Sequence, residues 1–232
     1  MFYPNVHFYY DVSKDIENIK IGLDTVRKGR EPDRELRDII KKIGNNPDDS
    51  ELESYVKKRL LGKEDIINVS IKQTQEWWNK ITNSYFDYLL NRMQLKSFDG
   101  IEEIDGYFSI RYGSGYSVTN NWFAVSIHNS AVLNGSVAMH EIMHILFHKN
   151  WWQFCVSKKI SDKSIWDIKE AITVLLNLWF DKLMINSDLG YKEHTELRRL
   201  IKNNFLETRD FKKTLSVACD FVKSNRKSPS WV

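Results

Sequence analysis

The stretch Ala138-Met139-His140-Glu141-Ile142-Met143-His144-Ile145 sets two histidines four residues apart with a glutamate between them, and neither Gly nor Pro interrupts the chain from Val137 to His148. Residues four apart on an α-helix lie one turn apart on the same face. The spacing therefore predicts a helix whose His140 and His144 imidazoles converge on one ion, about 2.0–2.1 Å from each ring nitrogen. Glu141 follows His140 by about 100° around the axis, which aims its carboxylate at the ion's open position rather than at the ion. There it can take a proton from a water whose pKa the metal lowers to about 7. Asn134-Gly135 reads as a turn and Ser136 as the N-cap of this helix. Ala138, Ile142, Ile145 and Leu146 form the opposite, apolar face, so the helix is expected to be buried with its histidines toward a cleft. A buried face carrying His140, Glu141 and His144 must pair or coordinate them, and a metal does so for the two histidines.

Catalytic zinc takes three protein ligands and keeps a fourth position for water. His148 sits one turn beyond His144, but at a rise of about 1.5 Å per residue it lies about 12 Å along the axis from His140, too far to share an ion with it. No helix-breaking Gly follows His144, where the chain continues Ile145-Leu146-Phe147-His148-Lys149. Glu170 is the better third ligand. It lies in a second long helix expected after Ser164, whose core stripe is Ile168, Ile172, Leu175, Leu176, Trp179 and Leu183. A carboxylate in the first turns of a largely apolar helix needs a partner once buried, and a metal supplies one. Asp162, Asp167 and Asp181 compete for the role, and favourable charge at a helix N-terminus also accounts for Glu170 and Asp167.

Outward from these two helices, the chain reads as α+β. Val6–Val12, Gly106–Tyr112 and Trp122–His128 have strand composition, and the period changes to two between residues 100 and 130. Ile71–Met93 places Trp77, Trp78, Ile81, Tyr85, Tyr88 and Leu89 at helical spacing, a pattern that burial requires and a ligand cage does not. Residues 14–65 are charge-dense and helical in pattern, broken at Gly29-Arg30-Glu31-Pro32 and at Gly44–Asp49. Asp33 is expected to cap Arg34–Ile43 and Ser50 to cap Glu51–Leu61. This segment reads as a helical insertion near the N-terminus, open to a role as lid, partner surface or packing. Residues 191–232 read as C-terminal helices, and the whole of 1–232 as a single domain.

Composition narrows the class. The chain has 232 residues, 42% hydrophobic, with 12 Phe, 10 Tyr and 8 Trp, which excludes disorder over most of its length. Cys155 and Cys219 are too few for a disulfide framework and lack zinc-ribbon spacing, so each is expected to be a buried thiol. A formal charge of +3 does not imply nucleic acid, and the ten Lys/Arg against five Asp/Glu in residues 191–232 read as solvated helix faces. Ala171–Phe180, the most apolar run, is about half of the roughly 20 residues that span a bilayer, so no membrane partner is expected. The first residues show no basic or long apolar leader, and a cytoplasmic location is the expectation.

His140, Glu141, His144 and Glu170 together resemble the gluzincin branch of the zincin metallopeptidases, in a compact, minigluzincin-like form covering roughly residues 70–190. The resemblance implies a small twisted sheet on a backing helix, Ile71–Met93, with the active-site helix and a following ligand helix. It further implies Zn2+ as cofactor, peptide-bond hydrolysis with Glu141 as the base, a peptide or protein substrate, and Trp122–His128 as the substrate-binding edge strand. The sequence departs from that pattern at Val174, where many gluzincins carry an acidic residue that orients a histidine; Thr173 or Asn177 would have to substitute. Tyr191 and His194 are candidates for the transition-state proton donor, although both also read as helix-surface residues. The run from His140 to His148 is similar as well to regulatory metallopeptidases that cleave repressors, but residues 14–65 hold no clear recognition helix. Peptide deformylase needs a cysteine ligand upstream, and no Cys precedes His140. The rival class is a non-catalytic binding module that keeps the zincin fold and uses its basic C-terminal helices to hold an acidic partner.

Overall fold

The computed structural model describes residues 2–98, 100–184 and 187–225. In chain order these form β1 (Asn5–Tyr10), α1 (Val12–Arg27), α2 (Arg34–Ile43), α3 (Asp49–Leu60), α4 (Glu64–Arg92), β2 (Glu103–Ser109), β3 (Tyr116–Ser117), β4 (Trp122–Ser126), α5 (Ala131–Asn150), α6 (Trp152–Ser157), α7 (Asp162–Ile172), α8 (Leu176–Trp179), α9 (Thr195–Thr208) and α10 (Phe211–Ser224). The class is α+β, mostly helical with a small mixed sheet. Two compact units divide the chain, one gathering residues 4–80 and 101–141, the other residues 81–100 and 142–225 with Phe2 and Tyr3.

The first unit holds the sheet, in the order β1-β2-β4-β3. β1, β2 and β4 run parallel, with Val6 opposite Ile104 and Tyr107 opposite Ala124, and β3 returns antiparallel along β4. All five residues of β4 are buried, as an inner strand flanked on both sides requires. This corrects the expectation that Trp122–His128 forms an edge. The edge is β3, whose two residues are half-buried. The outer side of β1 is covered rather than open, since Gln75 of α4 accepts from Phe8 N and donates to Val6 O, both at 2.9 Å. A side-chain amide thus replaces the missing strand.

α1, α2 and α3 are amphipathic helices that bury Ile16, Ile19, Leu23, Leu36, Ile39, Leu52 and Val56 in one cluster with Ile110, just past the end of β2. Residues 14–65 are therefore packed into the unit. Asp33 caps α2 as expected, accepting from Glu35 N and Leu36 N. α3 begins earlier than expected: Asp48, not Ser50, caps it in a reciprocal capping box with Glu51, and Ser50 donates its hydroxyl to Asp48. A carboxylate meets the first free N–H groups with a full charge, so it outcompetes the hydroxyl two residues on.

The helix that carries the paired histidines also starts earlier. α5 runs from Ala131, the Ser130 hydroxyl accepts from Leu133 N, and Ser136 lies inside the helix with its hydroxyl on Val132 O. Asn134 and Gly135 form no turn. Asn134 is buried and donates to Ser126 O at 3.1 Å, and a Cβ on Gly135 would sit 1.9 Å from the Trp77 ring. The glycine serves close packing. Replacing Gly135 by Ala is expected to destabilise the protein by about 1–3 kcal/mol or more through overpacking, read as a lower urea midpoint at unchanged slope; an unchanged midpoint would refute the contact.

In the second unit, Tyr85 packs on Phe180 with ring centroids 5.0 Å apart and Trp179 on Phe205 at 5.4 Å. Cys155 and Cys219 are buried free thiols, their sulfurs 3.8 Å apart. The second long helix is shorter than expected. α7 is capped by Ser161 and ends at Ile172, Thr173–Leu175 tighten into a 3-10 turn, and α8 ends at Trp179. Its stripe from Ile168 to Trp179 is nonetheless buried. The basic C-terminal segment forms α9 and α10, and the final residues expected there, 226–232, lie outside the described residues. Among the described residues no helix is long and apolar enough to cross a membrane.

Candidate metal centre

His140 and His144 stand one turn apart on α5, and Glu170 comes from the last turns of α7. Each offers a ligand atom, and the three atoms lie within 4.8 Å of one another. His144 is buried, and its Nε2 is 3.4 Å from Glu170 Oε2. Two ligands bound tetrahedrally to zinc at about 2.0–2.1 Å stand about 3.3–3.4 Å apart. His144 Nε2 and Glu170 Oε2 already have that separation, and two imidazoles with one carboxylate are the donor types zinc takes at catalytic sites. The residues present fit the ion.

Glu170 is held by its neighbours in α7 and α9. Lys169, fully buried, places its ammonium 2.6 Å from Glu170 Oε1 and 4.0 Å from the centroid of the Trp166 ring. One carboxylate oxygen thus faces a cation and the other faces His144. Arg198 donates to the Glu170 carbonyl at 3.3 Å, to Thr173 Oγ1 at 2.8 Å and to Asp188 Oδ1 at 2.8 Å. Thr173 donates to Asp188, and Asn177 exchanges two hydrogen bonds with it. Neither residue orients a histidine through these bonds. They lock the end of α7, where the partly buried Asp188 carboxylate accepts from both Thr173 and Arg198.

The competing acids stand elsewhere. Asp162 and Asp181 are exposed, and Asp167 lies 3.1 Å from His194 Nε2. None of the three joins the cluster. His194 is buried against Asp167, with Tyr191 edge-on to its ring at 5.7 Å. His148 stacks on Trp152 at 4.4 Å and meets Trp166 edge-on, and it too is outside the cluster. Burial, aided by the Lys169 charge, pushes its pKa down to about 4, so it is neutral at pH 7.

Glu141 is buried and accepts a 2.5 Å hydrogen bond from the Ser114 hydroxyl. Ser114 and Lys169 are the two site-lining residues that sequence reasoning missed. For Ser114 the flanking Gly113 and Gly115 were a signal of close approach. Lys169 gave none, because its burial depends on which way α7 is rolled. No family model matches the chain, and neither a curated protein nor a solved structure matches it.

Proposed function

We propose that this chain is a zinc-dependent metallopeptidase of the gluzincin type, hydrolysing peptide bonds in the cytoplasm. The observation that carries the reading is the convergence of His140, His144 and Glu170 beside a buried Glu141. His140, His144 and Glu170 would hold the ion, which would supply the Lewis acidity that polarises a carbonyl and brings the pKa of a water to about 7. Glu141 takes the water's proton and delivers it to the amine nitrogen as the C–N bond breaks, so one carboxylate acts first as base and then as acid. The half-buried edge strand β3 offers backbone groups with which an extended peptide can pair, fixing its register. Two buried free thiols suit a reducing compartment.

Purified protein is expected to carry one zinc per chain and to cleave an unfolded, casein-like substrate. Removing the metal with 1,10-phenanthroline should stop cleavage, and added zinc should restore it. Stoichiometric zinc without hydrolysis of any substrate tried would favour a binding module instead. A chain that takes up no metal would end both readings.

A further inference from the structure

We propose that Ser114 is a positioning residue for Glu141, held in place by the first two helices of the chain. The catalytic consequence rests on the peptidase reading above; the hydrogen bond itself does not.

Ser114 lies in the loop between β2 and β3, and both of its flanks are pinned. On one side, Gly113 N donates to Asp33 Oδ2 at 3.3 Å, and Gly113 O accepts from Asn18 Nδ2 at 3.2 Å. On the other, Gly115 O accepts from Ala124 N of β4 at 2.8 Å. Arg111 braces the same loop, donating to Asp33 Oδ2 at 2.9 Å and to the Asn18 carbonyl at 3.1 Å. A Cβ on Gly113 would lie 2.6 Å from Arg111 Nη2, and one on Gly115 2.8 Å from Asn18 Oδ1. A side chain at either position would push the Arg111 guanidinium or the Asn18 amide out of these bonds.

The network reaches inward. Asn18 donates to Ser109 Oγ at 2.9 Å, and Ser109 donates to the fully buried Asp15 at 2.6 Å. Ile110 N also donates to Asp15. These buried groups of α1 have no place in the hydrolysis. Burying so many polar groups is costly unless each is satisfied, and what their mutual satisfaction fixes is the path of residues 109–115. At the tip of that path Ser114 is exposed while its hydroxyl meets a buried carboxylate. The hydroxyl holds the Glu141 carboxylate in one orientation before substrate arrives, and prior alignment of a base is worth rate rather than binding.

Because Ser114 is exposed, its replacement leaves the fold intact. Ser114→Ala is expected to lower kcat on a casein-like peptide about tenfold, with KM and zinc content unchanged, and Ser114→Thr to restore kcat. A second measurement needs neither zinc nor activity. In protein labelled with 13C at glutamate carboxyls, the Glu141 signal, identified by its absence in Glu141→Gln, should move in Ser114→Ala and return in Ser114→Thr. A signal that stays put in Ser114→Ala, or an active Ser114→Ala enzyme with unaltered kcat, overturns the proposal. The labelled-carboxyl measurement reads the bond even if the wild-type chain cleaves nothing, so the two readings fail separately.

Discussion

Glu141→Gln is expected to lower hydrolysis by about 10²- to 10⁴-fold, the usual worth of a positioned general base, while zinc content stays at the wild-type level. The amide keeps the shape of the carboxylate and an oxygen that accepts from Ser114, so the buried pocket of Glu141 is filled as before. It cannot accept the water's proton, because an amide is not basic near neutral pH. Glu141 is not among the residues whose ligand atoms meet, so metal retention should not change. Metal analysis and a cleavage assay on the same preparation read both arms. Loss of zinc together with activity would mean that Glu141 is a ligand, and retained activity would remove it from the chemistry.

Glu170→Ala is expected to weaken zinc retention more than about 100-fold, since loss of a residue that merely orients a ligand already costs about 10- to 100-fold. Asp181→Ala should leave retention unaltered, because Asp181 is exposed past the end of α8 and outside the cluster. Dialysis against a chelator of graded strength gives the two affinities. The reverse ranking would refute Glu170 as the third ligand. The Glu170 variant also takes from the fully buried Lys169 the carboxylate that lies 2.6 Å from its ammonium. A fall in stability is therefore expected alongside the fall in affinity, and Glu170→Gln, which keeps a carbonyl oxygen for Lys169, separates the two effects.

The helices and strands were legible because their signals are local. The apolar stripe of residues 168–179, the alternation read at residues 106–112, which places β2 within three residues of its observed bounds, and the Asp33 cap act within a few residues of themselves. Ser136 and Ser50 misled because a cap is chosen by competition: an earlier start at Ala131 and a carboxylate at Asp48 displaced them. Gly135 carried a turn signal that the Trp77 ring, 58 positions away in the chain, overrode. The edge strand was misplaced for a similar reason. Tyr116 and Ser117 are too few to show a period, yet they cover β4.

By itself the sequence determined that two imidazoles share one helix face with an acid beside them, since the four-residue interval and the 3.6-residue turn leave no other arrangement for an unbroken helix. It also supplied a set of carboxylates from which a third donor could come. Which of them arrives at His144 was decided only by tertiary packing, through the buried stripe that rolls α7 and the bonds from Lys169 and Arg198 that hold its end. So was the presence of Ser114 at Glu141, 27 residues away. Periodicity fixes direction around an element's own axis, whereas meetings between elements follow from how whole apolar faces bury one another.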